Sequence, residues 1–421
     1  MAEGWDAIPF DTLGEILLRL LPTPRRRLRL VCRHWRRVID EHMPARRARA
    51  KVIAYVSDQG SGSSPRPRAY VFDDLIEGRG REVELPAAAA PAPAPRRWWA
   101  WEFYQREHEP TRMVGTCNGL ICLCRGRGDI VLFNPVTGEE LAVAPPPPPT
   151  LPPAAGSWRD EAAAAADGFF CFAYHPATGL YKILHVPRRP SEAFDAVHVF
   201  TLEEASPSPS PPPMPPPSWR EVPAPGSSCR FGLGIVTVRG VAYWVAKDGR
   251  RVMAFDLEDE RAKFAAELPV PMPSVPWLRY TCRLADAGGR LGFTVCRNNH
   301  PMTSNTELTF AAGVVLEGGG GEEQVWVRRY IVLVNADQKQ ELASPVVAHG
   351  EHILTVADDE KVAALEDRAL RCGVVPVTAR SPGTPVGVYD DDSYNIQTFS
   401  YVETTEPLLV YSRQHGAFAS Y

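Results

Sequence analysis

The side chains that could do chemistry in this chain are dispersed, so each cluster stands or falls on its spacing. Cys117, Cys122 and Cys124 lie in one apolar run, TCNGLICLC. Thiolates this dense can hold zinc, but a zinc site needs ligands that converge tetrahedrally, and no second ligand pair accompanies them. They read as strand residues, and no metal is expected. His349 and His352 flank Gly350-Glu351, which matches no ligand pattern, so they read as polar residues at strand ends. Asp390, Asp391 and Asp392 could offer carboxylate oxygens to a hard cation. An acidic turn in water needs nothing more and is the preferred reading. Gly318 to Gly321 could wrap a phosphate, but Glu322 and Glu323 follow at once with the wrong charge. HExxH and GxSxG do not occur. No catalytic residue and no cofactor are expected; an interaction protein fits better than an enzyme.

One segment is strongly basic. Arg25, Arg26, Arg27, Arg29, Arg33, Arg36 and Arg37 are extended by Arg46, Arg47, Arg49 and Lys51. Nucleic-acid contact would want aromatic rings interleaved with the charges as a stacking surface, and none are there. The net charge of −4 supplies no general attraction either. A solvated helix face is the preferred reading, with a DNA- or RNA-binding regulator as an alternative.

Those arginines ride on two amphipathic helices. Leu13, Ile16, Leu17 and Leu20 recur at i, i+3, i+4 and i+7, and Leu28, Val31, Cys32 and Trp35 repeat the spacing. Asp11 reads as the cap of the first helix and Pro22 as its stop. Thr23 and Pro24 open the second, which is expected to run to about His42, before Pro44. A segment of about forty residues is too short to bury both stripes in a core of its own. Both are therefore expected to pack on the rest of the chain or on a partner.

With 421 residues, 44% hydrophobic and 23% charged, the chain has the composition of a soluble globular protein. No apolar run reaches the ~20 residues of a membrane span, and the N-terminus lacks the pattern of a secretory signal. Nine cysteines, an odd number without a dense framework, suit a reducing compartment, cytoplasmic or nuclear.

From Lys51 onward the period changes from 3.6 to 2. Strands are expected at Val52–Val56 and Ala69–Phe72, then at Leu120–Cys124 and Ile130–Phe133 around the Asn118-Gly119 and Asn134-Pro135 turns. Similar units follow: Phe169–Tyr174, Tyr181–Val186, Ala196–Leu202 and Trp219–Val222; then Ile235–Val238, Ala242–Ala246 and Arg251–Leu257. Later strands are expected at Leu278–Leu284, Leu291–Arg297, Val325–Val334, His352–Ala357, Val386–Tyr389 and Thr398–Tyr401. Four or so strands recurring about every 50 residues favour propeller blades over a sandwich. Proline, at 42 residues, is about twice its usual share. It concentrates in exposed loops near residues 86–97, 145–156 and 205–218, where docking of an SH3-like or WW-like domain is the sharper but less favoured reading. Trp98, Trp99 and Trp101 suggest a strand with large buried rings more than a ligand platform.

Residues 5–45 resemble an F-box, the helical module that docks onto the Skp1 adaptor of SCF (Skp1-cullin-F-box) ubiquitin ligases. The matching pieces are Ile8-Pro9, Glu15-Ile16-Leu17 with Leu20 and Leu21-Pro22, and above all Val31-Cys32-Arg33-His34-Trp35-Arg36. Arg25 and Arg26 stand where the family usually has leucines. Downstream, Cys117-Asn118-Gly119-Leu120 followed by Asn134-Pro135-Val136-Thr137-Gly138-Glu139 is similar to the opening repeat of the plant F-box-associated domain, and GVAYWVA before FDLE looks kelch-like. The resemblance implies an α+β chain overall: a small all-α F-box at 1–50, then a large all-β domain at 51–421 with a propeller-like fold. It implies a non-catalytic substrate receptor, with a Skp1-like adaptor and through it a cullin as partners, an unknown target protein, and no membrane. Ile8, Pro9, Leu13, Ile16, Leu17, Leu20, Leu21, Leu28, Val31, Cys32 and Trp35 would face the adaptor or pack the module. A scaffold outside any ligase is the rival; it would bury Leu17 and Trp35 against the chain's own strands.

Overall fold

Tight turns set the architecture from Lys51 onward. Asn118 and Gly119 both take positive φ, 50° and 86°, as the two-residue turns that match strand twist require. They join β4 (Arg112–Cys117) to β5 (Leu120–Arg125). Arg239 and Gly240, at 51° and 82°, do the same between β12 (Ile235–Val238) and β13 (Val241–Val245). The computed structural model describes residues 8–20, 28, 31–32, 34–39, 51–58, 67–73, 75, 80–86, 111–125, 128–147, 168–175, 178–188, 192–202, 218–269, 280–297, 309–318, 324–334, 340–342, 348–349, 352–357, 372–376 and 394–414. The expected strand at Val386–Tyr389, the tryptophans at 98–101, the proline tract at 207–217 and Asp390 to Asp392 lie outside these residues.

Among the described residues, antiparallel pairing builds six four-stranded sheets. One runs in chain order from β4 through β6 (Asp129–Phe133) to β7 (Glu140–Val143). The next comprises β8 (Gly168–His175), β9 (Leu180–Pro187), β10 (Ala193–Leu202) and β11 (Arg220–Ser228). After it come β12, β13, β14 (Arg251–Asp256) and β15 (Arg261–Glu267), and then β16 (Tyr280–Asp286), β17 (Leu291–Arg297), β18 (Thr309–Glu317) and β19 (Val325–Val334). Of the sixth sheet only the backbone pairing is described. There β22 (His352–Ala357) has β20 (Gln340–Leu342) and β21 (Ala348–His349) on one side and β23 (Cys372–Pro376) on the other.

The first strands of successive sheets face one another, β4 against β8, β8 against β12 and β12 against β16, which is the arrangement of propeller blades around an axis. The remaining sheet closes the ring. Its order is β24 (Tyr394–Tyr401), β1 (Lys51–Asp58), β2 (Arg68–Phe72) and β3 (Gly80–Val83), with Lys51 opposite Tyr401, so the last strand completes the first blade. β24 also faces β4. Pairing β24 with β1 hides edges that would otherwise recruit other chains.

Alternating side chains fill the spaces between neighbouring blades. Phe172, Tyr181 and Phe200 meet Leu120, Cys122 and Leu132 between the second and third, and Phe194, Val197 and Cys229 meet Trp244 and Phe255 between the third and fourth. Each fully buried ring contributes about 1.5–3 kcal/mol. A polar clamp spans the second gap as well. Buried Lys182 donates to Glu260 at 2.8 Å and to the Leu257 carbonyl, while Arg220 grips the same carboxylate through both oxygens at 2.7 and 2.8 Å.

Past β24 the chain turns back over the turns of the second blade. A Cβ on Gly119 would lie 2.4 Å from the Val402 carbonyl, so only glycine fits beneath this segment. Asn134 Oδ1 accepts the Val136 N–H at 2.9 Å, while its Nδ2 donates at 2.8 Å to the Glu406 carbonyl. The Glu139 carboxylate accepts the Leu408 N–H at 2.6 Å. Glu406 itself is fully buried, and its carboxylate accepts the hydroxyls of Tyr181 and Tyr411, both at 2.9 Å. The Asn-Gly and Asn-Pro turns thus do more than reverse strands; they seat the C-terminal segment.

The helical module departs from expectation in two respects. It does have a core of its own: Leu13 and Leu17 of α1 (Phe10–Arg19) pack with Trp35, Val38 and Ile39, with Ile8, Phe10, Leu20, Leu28 and Cys32 around them. Two short helices suffice because a tryptophan and four aliphatic side chains fill the one gap between them. The second helix is also not continuous. Leu28 is helical, Val31 sits in a turn with its N–H on the Leu28 carbonyl, and helix resumes over 34–39. Cys32 caps that segment: its carbonyl accepts the Arg36 N–H, and its sulfur accepts the Trp35 N–H at 3.5 Å. At the first helix the cap is Pro9, whose carbonyl takes the Leu13 N–H, and Asp11 lies inside the first turn, where its charge suits the helix dipole.

Candidate functional site

Breaking the second helix sorts the expected interface residues by exposure. Leu13, Leu17 and Trp35 are buried in the module core, and Ile8, Leu20, Leu28 and Cys32 are half-buried around it. Ile16 and Val31 turn outward, 46% and 54% exposed, and Pro9 is exposed as well. Leu21 lies outside the described residues, as do Arg25, Arg26 and Arg27; Arg36 and Arg37 are exposed. Val38 and Ile39 were missed as core members, although Trp35, Val38 and Ile39 continue the i, i+3, i+4 pattern that would have found them.

The second candidate lies on the propeller axis. A cavity of about 500 Å³ is lined by β4, β8, β12, β16 and β24. That volume falls in the usual range for small-ligand and side-chain pockets. Phe169, Phe170 and Phe231 supply its aromatic wall, and Thr116, Gln397 and Ser400 its neutral polar one.

Among the described residues no group of three or more His, Cys, Asp or Glu side chains could hold a metal ion. Cys122 and Cys171 are buried thiols raised above their ordinary value by desolvation, Cys171 to about 12, so neither is a thiolate nucleophile. His349 and His352 are partners across the β21–β22 pair. The buried His185 and His198 stack with their Nδ1 atoms 3.2 Å apart, and burial followed by repulsion from His198 lowers His185 to about 3. A base that weak, walled in by Phe170 and Trp219, is a packing element.

Two family matches account for this division. Residues 5–46 match the F-box domain, and residues 101–362 match the F-box associated beta propeller domain. The chain belongs to the F-box-associated β-propeller family. The F-box match covers the helical module, and the propeller match begins before β4 and ends after β22. No curated protein matches the chain. Among solved structures, a putative 6-phosphogluconolactonase from Bacteroides fragilis is similar at 12% identity, covering 83% of this chain and 98% of its own, with a TM-score of 0.37. The β-propeller domain of Cps50 (Swd1) from Myceliophteria thermophila is similar at 9% identity over 68% of this chain and 71% of its own, with a TM-score of 0.29. In this F-box protein, then, two exposed apolar residues, Ile16 and Val31, sit on the F-box and the cavity on the propeller, and no helix among the described residues is long and apolar enough to cross a membrane.

Proposed function

We propose that this chain is the substrate receptor of an SCF-type ubiquitin ligase, its F-box docking on a Skp1-like adaptor and its propeller holding a target protein. The observation that carries the reading is the sorting of the F-box stripes. Leu13, Leu17 and Trp35 are spent on the module's own core, while Ile16 and Val31 stay exposed on it. Exposed apolar side chains on a self-sufficient helical module are what a helix-binding partner buries. The chain then contributes no bond chemistry. It raises the local concentration of target lysines near the ligase's transfer machinery.

The test is co-purification with the adaptor. Burying Ile16 and Val31 is worth about 1.5 kcal/mol or more each, so Ile16→Asp with Val31→Asp should cut capture by roughly a hundredfold or more. The far-ultraviolet spectrum and the propeller melting point should stay unchanged. Leu17→Asp, by contrast, opens the core and loses binding for a trivial reason. Normal capture of the Ile16/Val31 double variant would remove these residues from the interface. The scaffold reading needs Leu17 and Trp35 packed on strands, and the members of their cluster all come from residues 8–39. A nucleic-acid regulator would show binding that falls steeply with salt.

A further inference from the structure

The charges around the propeller axis point to the chemistry of the target. Among the described residues lining the cavity there are three arginines, Arg112, Arg188 and Arg283, and one carboxylate, Asp286. The three arginines gather around one aromatic pair. Arg112 opens β4, and its guanidinium carbon lies 6.0 Å from the centre of the Phe169 ring. Phe169, at the start of β8, stacks on Phe231 with centroids 5.1 Å apart and planes 24° off parallel. The next carbonyl, that of Gly232, accepts an N–H from Arg283 of β16. Arg188 directly follows Pro187, which pairs with Gly168 beside Phe169. Four blades thus contribute to one mouth of the cavity, where strands β4 and β8 begin. Asp286 is three residues past Arg283, about 10 Å further along the strand, and its Oδ1 already accepts the Gly289 N–H at 2.6 Å.

Like charges drawn to the rim of a concave, partly apolar site focus a positive field outward. An anion with several oxygens suits that field, because a planar guanidinium grips carboxylate or phosphate through two parallel bonds. The half-buried Phe169 ring, backed by Phe231, lines the cavity and gives an apolar neighbour of that anion a place to pack. A cavity of about 500 Å³ cannot admit a folded domain but does admit one or two side chains of an extended segment.

We propose that this mouth binds an anionic side chain, carboxylate or phosphate, on an extended peptide, with the adjoining apolar residue against Phe169. The assignment of that peptide to a ubiquitination target rests on the receptor reading above; the binding itself does not.

Degenerate peptide pools test it without knowledge of the sequence. Nonapeptides randomised at every position except a fixed centre of phosphoserine, aspartate, serine or lysine are immobilised, and retention of the full-length chain is measured on each. The expected result is retention on the phosphoserine or aspartate pool at least tenfold above the serine and lysine pools, falling with added salt. Arg112→Gln combined with Arg188→Gln should abolish the difference; both positions are exposed, so the fold tolerates them. Stronger retention on phosphoserine than on aspartate assigns the anion to phosphate, and the reverse order assigns it to carboxylate. Equal retention on all four pools, or a preference unchanged in the double variant, overturns the proposal. Adaptor capture, measured in the same preparations, reads the F-box surface alone: its loss with intact peptide preference would sink the receptor reading and leave this site standing.

Discussion

Lowering the pH should unlock the seam between the second and third blades, and His185 sets the size of the effect. The ring is 2% exposed and lies between Phe170, Trp219 and His198. A Cβ on Gly168 would come within 2.2 Å of its Nε2, which leaves no space there for water. Burial, and secondarily the His198 ring, lowers its pKa from 6.5 to about 3. A lowered histidine value means that the unfolded chain takes the proton first as the pH falls. The stability held above pH 6.5 is therefore lost progressively between 6.5 and 3. At pH 5 the folded ring is still neutral, whereas the unfolded one is about 1.5 units below its pKa, a linkage cost of about 2 kcal/mol. Urea unfolding at pH 7.5 and pH 5 gives the loss for the natural chain. The same pair of measurements on His185→Gln, which cannot titrate, removes every other group from the comparison. The natural chain should lose about 2 kcal/mol more than the variant over that interval. If the two losses agree within about 0.5 kcal/mol, the ring is either solvated or already charged in the folded protein, and the packing account of it is wrong.

Three further outcomes follow from the seat of the C-terminal segment and the clamp. Gly119→Ala must place a Cβ 2.4 Å from the Val402 carbonyl at a φ of 86°, and should cost about 2–4 kcal/mol. Gly138→Ala has a similar φ, 75°, but open space around the new methyl, and should cost only about 1 kcal/mol; equal losses in thermal melts would disprove the contact. Glu406→Leu strips the acceptor from two tyrosine hydroxyls and should cost about 3–5 kcal/mol, part of it regained when Tyr181→Phe and Tyr411→Phe are added. Additive losses in that cycle would show that the hydroxyls do not depend on Glu406. Glu260→Gln weakens the partner of buried Lys182 and should cost about 3 kcal/mol at neutral pH. Burial opposes ionisation of Glu260, but the bonds from Arg220 and Lys182 outweigh it and hold its pKa below 4.5, so this contribution is lost as the pH falls through the lowered value. A denaturant midpoint unchanged by the substitution would remove the clamp from the account.

Some of this molecule was written in local chemistry and some was not. The turn at Asn118-Gly119 and strands such as Leu291–Arg297 and Val325–Val334 were legible because positive φ and period-two alternation are properties of neighbouring residues. Strands β3, β4, β7, β15, β18, β20, β21 and β23 were not. Arg261–Glu267, for example, alternates weakly because its outer face is in water, and its pairing with β14 rather than its composition makes it a strand. The closure by β24, opposite a strand more than three hundred residues earlier, has no local trace at all. The same division runs through the functional sites. Spacing identified the F-box stripes but could not separate Leu17, which holds the module together, from Ile16, which faces outward, because both belong to the same i, i+3, i+4 stripe and only the packing partner decides which of them is covered. At the propeller mouth spacing had no purchase: Arg112 and Arg283 lie in two different sheets and Arg188 directly follows a strand of a third, and only the packing of the blades around the axis brings their charges together. A folded ring can therefore converge charge that the sequence disperses, and a weakly acidic chain can present a positively charged mouth.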